Sequence, residues 1–313
     1  MNSPPVSDFL DLQSIVREIT RKNPFASVDE INRALEKRVR EYNNAPQTDL
    51  GGLSPEQMQQ VLYGDWHGSG ALRLNEGLTL DDVVDAPFFA DARTLLGYFE
   101  REGMVKETPA KNLPRAAVSA LLPLMRLPTP VARNLEVGFP PPRNEGDVIW
   151  LQALRHVLEL AGLLTRRKGL RVSRTARELT RDEHAGRLYA LLFRTLFRTF
   201  NLQWFDRFDG QSALQPSVGY SFYKLNTLAR EWTSELSLAE SAWLPSAKEP
   251  PSLLDISNGD LRYFSFRHQV LSPLVQFGLL EDRPLPTREK WRELIELRCT
   301  PLYSRFIRFQ FRQ

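Results

Sequence analysis

One cysteine stands in the 313 residues, Cys299, so no internal disulfide framework is available and a reducing compartment is expected. Histidine is scarce as well. His67, His156, His184 and His268 lie apart, and none has a second His, Cys or acid at the spacing of common metal motifs. No apolar run approaches the roughly 18 residues of a membrane span. The longest apolar-rich helix candidate, Leu188 to Phe200, is broken by Arg194 and Arg198. The opening MNSPPVSDFLDL has no basic stretch followed by an apolar one, so export is not expected and the cytoplasm is the default. No GxSxG elbow, P-loop or GxGxxG turn occurs. These absences remove the commonest catalytic and nucleotide-binding signatures. No catalytic residue, metal ligand or cofactor is expected.

What is present is an ordinary globular balance, with 42% apolar and 25% charged residues. The net charge of +3 hides an asymmetry. Residues 1–100 hold 9 Lys/Arg and 16 Asp/Glu, a balance of −7, whereas residues 101–313 hold 32 and 22, a balance of +10. Such a split fits a polyanion-binding half, or two halves that attract each other. Arginine outnumbers lysine by 33 to 8. That bias suits bidentate phosphate contacts, and a GC-rich genome produces the same one.

The first hundred residues carry helix-start signals. Ser7 precedes an apolar stripe of Leu12, Ile15, Val16 and Ile19. Ser27 with Glu30, and Ser54-Pro55 with Gln57, form capping boxes, and Thr79 with Asp82 forms a shorter one. Asn43 to Pro46 ends one helix, and Gly51-Gly52 turns into the next. Prolines 123, 128, 130, 140, 141 and 142 mark a linker. The chain is therefore expected to divide into a helical part over 1–125, a linker over 126–143 and a second part over 144–313. Residues 245–258 read as a second loop, and residues 288–313 read as helix that Pro301 breaks.

One pattern recurs: an apolar helix, a glycine, two apolar residues, a charged turn, and a new helix start. It reads LLGYFEREGMVKETPAKNLPR from Leu95, LRHVLELAGLLTRRKGLRVSRTAREL from Leu154, and LSPLVQFGLLEDRPLPTREKWREL from Leu271. Gly103, Gly162 and Gly278 suit the positive φ of a helix C′ position. Gly169 sits where a hairpin needs its turn, and Ser173 or Thr175 caps the next helix. The second copy resembles the winged-helix superfamily, in which a helix feeds a two-stranded wing. The first copy is a weaker match and the third lacks a wing glycine. The turn Gly52 to Pro55 also resembles one in bacterial proteins to which no function is attached. The resemblance implies a mainly α fold with small β-hairpins, two or three winged-helix-like units embedded in helical bundles, with units near 147–181 and 260–300.

The sharpest functional candidate is the basic cluster of the second copy: Arg166, Arg167, Lys168, Arg171, Arg174 and Arg177, followed by Arg181. A wing carrying it could straddle a phosphate backbone. The helix before that wing would read bases, and Val148 to Ala161 offers Gln152, Arg155, His156 and Glu159 on its polar side, a poor base-reading set. The matching helix of the first copy shows Asp91, Glu100, Arg101 and Glu102, which would repel phosphates. Phe193, Phe197, Phe200 and Trp204 interleave with Arg194 and Arg198, as stacking platforms do, yet they fall on one helical stripe and read as core. Phe306, Phe309 and Phe311 beside Arg305, Arg308 and Arg312 read the same way, with a phosphate-binding role left open. Asp65 and His67 share a glycine-rich loop, YGDWHGSG, that reads as structural. Cys299 next to Arg298 reads as inert.

The expected function is non-enzymatic: an interaction or scaffold protein built on winged-helix-like units, docking a protein partner or itself. The alternatives are a DNA-binding protein that applies its basic wing to duplex DNA, and an enzyme with a site near Asp65 and His67.

Overall fold

The three capping boxes each open a helix in the computed structural model, which describes residues 12–68, 70–126, 142, 144–205, 214–244, 263–285 and 294–312. Ser27 and Glu30 exchange both bonds of a capping box at the start of α2, Val28–Asn44, which pairs with α1, Leu12–Lys22. Ser54 and Gln57 do the same for α3, Pro55–Tyr63. Thr79 donates its N–H to Asp82 at 2.8 Å ahead of α4, Leu80–Val83. Ser7, the 245–258 loop and almost all of the 126–143 segment lie outside the described residues. Most buried apolar residues on either side of that segment share one core, and Leu53, Met58, Val61, Ala71, Tyr220 and Leu244 form a small second cluster.

The three glycines do end helices. Gly103, Gly162 and Gly278 have φ of 68°, 69° and 66°. The first of them follows α5, Pro87–Glu102. No hairpin of its own follows Gly103; Val105 instead bridges Leu170, the backbone bonds in both directions measuring 2.9 Å. The first and second copies are thus two parts of one unit: α5, the Val105 segment, α6 (Arg115–Leu121), α7 (Ile149–Leu160), the antiparallel ribbon β2 (Leu164–Arg166) and β3 (Leu170–Val172), and α8 (Arg174–Leu179). Gly169 is required at the ribbon's turn because a Cβ there would lie 2.7 Å from the Val105 carbonyl. Ser173, rather than Thr175, caps α8, its Oγ accepting from Ala176 N–H at 3.0 Å.

From α8 the chain enters α9, Ala185–Arg194, which widens into a π turn at Thr195–Thr199 and a 3₁₀ turn at Leu202–Phe205. A second run of the same element order follows: α10 (Val218–Leu228), β4 (Thr233–Ser234), α11 (Glu235–Ala242), a helix over 263–276 that we call α12, the ribbon β5 (Leu280–Pro284) and β6 (Ile295–Cys299), and α13 (Pro301–Phe306). In both runs the early strand lies against the last strand of the ribbon, giving the order β4-β6-β5 in the second. The backbone bonds repeat as well. Leu163 N–H to Leu158 O (2.8 Å) matches Leu279 to Leu274 (2.9 Å), and Ser173 N–H to Leu163 O (2.9 Å) matches Thr300 to Leu279 (3.0 Å).

The expected helix over 288–313 is corrected here. Residues Ile295–Cys299 are strand, and after α13 the chain is strand again, β7 (Ile307–Phe309), antiparallel to β1 (Leu72–Leu74). The apolar spacing there suited a helix, but ladder partners from distant segments decide the outcome. The core between the two runs is aromatic. Tyr189, Phe193 and Phe197 from α9 and its π turn meet Phe222, Phe277 and Phe306, and Phe88 stacks on Phe277 at 4.7 Å. Buried Tyr189 and Tyr303 donate their hydroxyls to Phe277 O and Phe222 O at 2.5 and 2.7 Å, so neither polar tip is stranded.

Candidate interaction surfaces

The basic ribbon of the first unit is exposed from Thr165 to Lys168, and its cations divide into two sets. Arg166, at the end of β2, is tied down: it reaches Glu159 at 2.8 Å and Glu107 at 3.0 Å. Arg177 on α8 pairs with Glu100 at 2.9 Å. Arg171 places a guanidinium nitrogen 3.3 Å from Met104 Sδ. Arg167, Lys168, Arg174 and Arg181 are exposed and have no carboxylate partner among the described residues. The six candidate residues Arg166, Arg167, Lys168, Arg171, Arg174 and Arg177 therefore share one region, with two of them spent on internal ion pairs.

The helix before this ribbon departs further from the expectation. Arg155 does not lie on an exposed polar side of α7; its side chain is 1% exposed. It is the hub of a carboxylate cluster: Nε donates to Glu145 at 2.5 Å, Nη1 to Glu159, and Nη2 to Lys111 O at 3.2 Å. Burial opposes the charge, but Glu145 and Glu159 hold its pKa above the ordinary arginine value. Glu145 is itself fully buried and also accepts Leu113 N–H at 2.7 Å. His156 packs edge-on against Trp204, and burial followed by the charge of Arg155 pushes its pKa down. Gln152 donates to Asn112 at 3.2 Å. Polar groups at helical spacing along α7 are thus consumed inside the protein.

The second unit repeats this closure with different residues. On α12, Arg267 lies 3.3 Å from the fully buried Glu235, which also accepts Ile295 N–H at 3.0 Å. The π turn of α12 contacts the 3₁₀ turn Leu202–Phe205, while α7 contacts the π turn Thr195–Thr199. Both third helices therefore pack on the one connecting stretch, residues 195–205. The second ribbon is electrically self-contained: Glu281 faces Arg298 at 2.7 Å and Arg283 faces Glu296 at 2.7 Å. Both guanidinium groups lie over Trp232, at 4.3 and 4.7 Å from its ring centroid.

Asp91, expected on an exposed helix face, is instead buried and accepts Arg126 N–H at 2.7 Å. Burial drives its pKa up to about 6 against the pull of Arg126. In the glycine-rich loop, Asp65 accepts the N–H groups of His67 and Gly68 at 3.0 and 2.7 Å, the bonding of a turn-former. His67 lies 3.4 Å from Glu76, which Arg194 also approaches at 3.6 Å. Asp65 lines a cavity of 340 Å³, and His67 does not. The stripe of Phe193, Phe197 and Phe200 is buried, as its spacing implied, with Trp204 half-buried. At the C-terminal end Phe306 is buried, Phe309 and Phe311 lie edge-on to Tyr223, and Arg305 pairs with Asp82. Cys299 donates to Leu225 O at 3.5 Å, and burial pushes its thiol up to about 12.

Among the described residues no group of His, Cys, Asp and Glu is arranged to hold a metal ion, and no helix is long and apolar enough to cross a membrane. Comparison with protein-family models, with curated proteins and with solved structures finds no match.

Proposed function

We propose that the chain is a non-enzymatic interaction or scaffold protein built on two winged-helix-like units. Two runs of helix, strand, helix, helix and ribbon, each with its early strand on the last ribbon strand, support the winged-helix reading. The observation that carries the functional reading is the burial of both third helices. A winged-helix protein reads bases by laying that helix in the major groove. Here α7 and α12 are covered by residues 195–205, and their charged side chains are locked to buried glutamates. What remains outside is of another kind. Phe25 in the turn between α1 and α2 is 98% exposed, Val28 at the start of α2 is 73% exposed, and none of the 17 residues of α2 is buried. An amphipathic hairpin left this open fits a protein partner.

The test is a pull-down and sedimentation analysis of the full chain, wild type against Phe25→Asp with Val28→Asp. This reading expects a partner of defined stoichiometry, or self-association, that the double variant loses while its circular dichroism is unchanged. Strict monomers with no partner in the source cell would sink it.

A second reading, contact of the first ribbon with duplex DNA, is favoured by Arg167, Lys168 and Arg174, which have no carboxylate partner among the described residues. Such contact would run along the phosphate backbone without sequence preference.

A further inference from the structure

The π turn after α9 has a consequence at the surface. Phe200 N–H bonds Thr195 O at 2.9 Å, an i→i+5 step that inserts one extra residue into the helix. Such single-turn bulges recur at functional sites. Here the step buries Phe197 while Arg198 and Thr199 come out into solvent.

Arg198 is held in an unusual way. Its guanidinium lies 5.2 Å from the Trp66 ring centroid, and one N–H donates to Leu62 O at 3.3 Å. No carboxylate pairs with it among the described residues, whereas neighbouring Arg194 lies 3.6 Å from Glu76. Stacking on an indole orients a guanidinium for planar, two-point contact with a carboxylate or phosphate.

Arg198 forms one wall of a cleft of 450 Å³, within the size range of small-molecule sites. Leu62, Tyr63 and Pro216 give it apolar walls, and Asn201 and Gln203 add amides. Asn201 Oδ1 is occupied by Gln203 N–H at 3.1 Å, which leaves the Asn201 amide N–H groups and the whole Gln203 amide without partners among the described residues. Tyr63 is 76% exposed, a large ring at the rim that no described residue covers. Among the described residues no acidic side chain lines this cleft.

We propose that the cleft beside Arg198 binds a compact ligand with a flat apolar body and one anionic group, a carboxylate or a phosphate. The anion sits on Arg198 with help from Asn201 and Gln203, and the flat body lies between Tyr63 and Pro216. This site is independent of the α1–α2 surface invoked above.

The experiment is calorimetric titration of the full chain with phenyl phosphate and with benzoate, set against inorganic phosphate and benzyl alcohol. At least one aromatic anion is expected to bind saturably, at least tenfold more tightly than either inorganic phosphate or benzyl alcohol. Which of the two binds distinguishes a phosphate from a carboxylate ligand. Arg198→Gln should weaken binding at least tenfold and Tyr63→Ala several-fold. If Arg198→Gln does not fold, Tyr63→Ala combined with Gln203→Ala decides, since both changes are peripheral to the core. Absence of saturable binding by both anions, equal binding of benzyl alcohol, or unchanged affinity in these variants would overturn the proposal.

Discussion

The two ribbons share a topology and differ in what they do with charge. In the second, every charged residue of β5 and β6 except Asp282 is matched across the ladder, and Trp232 lies under both arginines. In the first, β2, β3 and the turn between them present Arg166, Arg167, Lys168 and Arg171 with no acid among them, and only Arg166 is neutralised, by Glu159 and Glu107. One backbone therefore serves two surfaces: a closed, self-satisfied sheet and an open cationic one. Any polyanion contact should belong to the first alone.

The largest expected effect concerns how each third helix is fixed. Arg155→Ala strands Glu145 in the interior and should cost about 3–5 kcal/mol in denaturant unfolding. Arg267→Ala should cost less, because Arg267 is 24% exposed and its removal opens a way for water to the buried Glu235. Equal losses would erase the distinction between a sealed and a rim-exposed lock.

Asp91 has no counterpart described in the second unit. Its pKa is raised in the folded state, from 3.8 to about 6, so the native state holds this proton more tightly than the unfolded chain does. The associated stability is complete below about pH 3.8 and is lost as pH rises through 6, on the order of 3 kcal/mol at most. Asp91→Asn keeps the acceptor for Arg126 N–H and removes the titration. The difference in unfolding free energy between variant and wild type should therefore grow in favour of the variant from pH 4 to pH 7.5. A difference that does not change with pH would show that Asp91 is not shielded from water.

Ribbon charge comes next. Replacing Arg167, Lys168, Arg171 and Arg174 by alanine should abolish retention on duplex DNA at low salt, with about 0.5 kcal/mol or less of stability change per exposed site. Replacing Arg283 and Arg298 should leave retention unchanged and instead lose the cross-strand pairs, roughly 0.2–1 kcal/mol each. Loss of retention in the second set would break the comparison. The smallest effect involves a third ribbon: Arg73 and Arg308 face each other across β1 and β7, like charges directly opposite. Arg308→Glu should raise stability by about 0.5 kcal/mol, read from the thermal midpoint.

Much of this was legible in sequence where the signal is local. The glycines at 103, 162 and 278 announced helix ends because only a residue without Cβ adopts positive φ freely. The boxes at Ser27 and Ser54 needed only residues three apart. Arg155 was misread because Gln152, Arg155, His156 and Glu159 do fall on one helical side; what buries that side is Glu145 and residues 195–205, which arrive from elsewhere in the chain. The second unit's ribbon, the longer of the two, was the fainter in sequence, because no glycine stands between Pro284 and Ile295 to mark a turn as Gly169 does in the first. Arg198 carried no motif at all. Its distinction depends on Trp66 and Leu62, more than 130 positions away.

The account turns on α7 and α12 being inaccessible to a groove. Selection of binding sites from a randomised duplex pool, at a salt concentration low enough for retention, tests this directly. The expected result is retention without any enriched sequence. An enriched motif whose binding disappears with Gln152→Ala would contradict it.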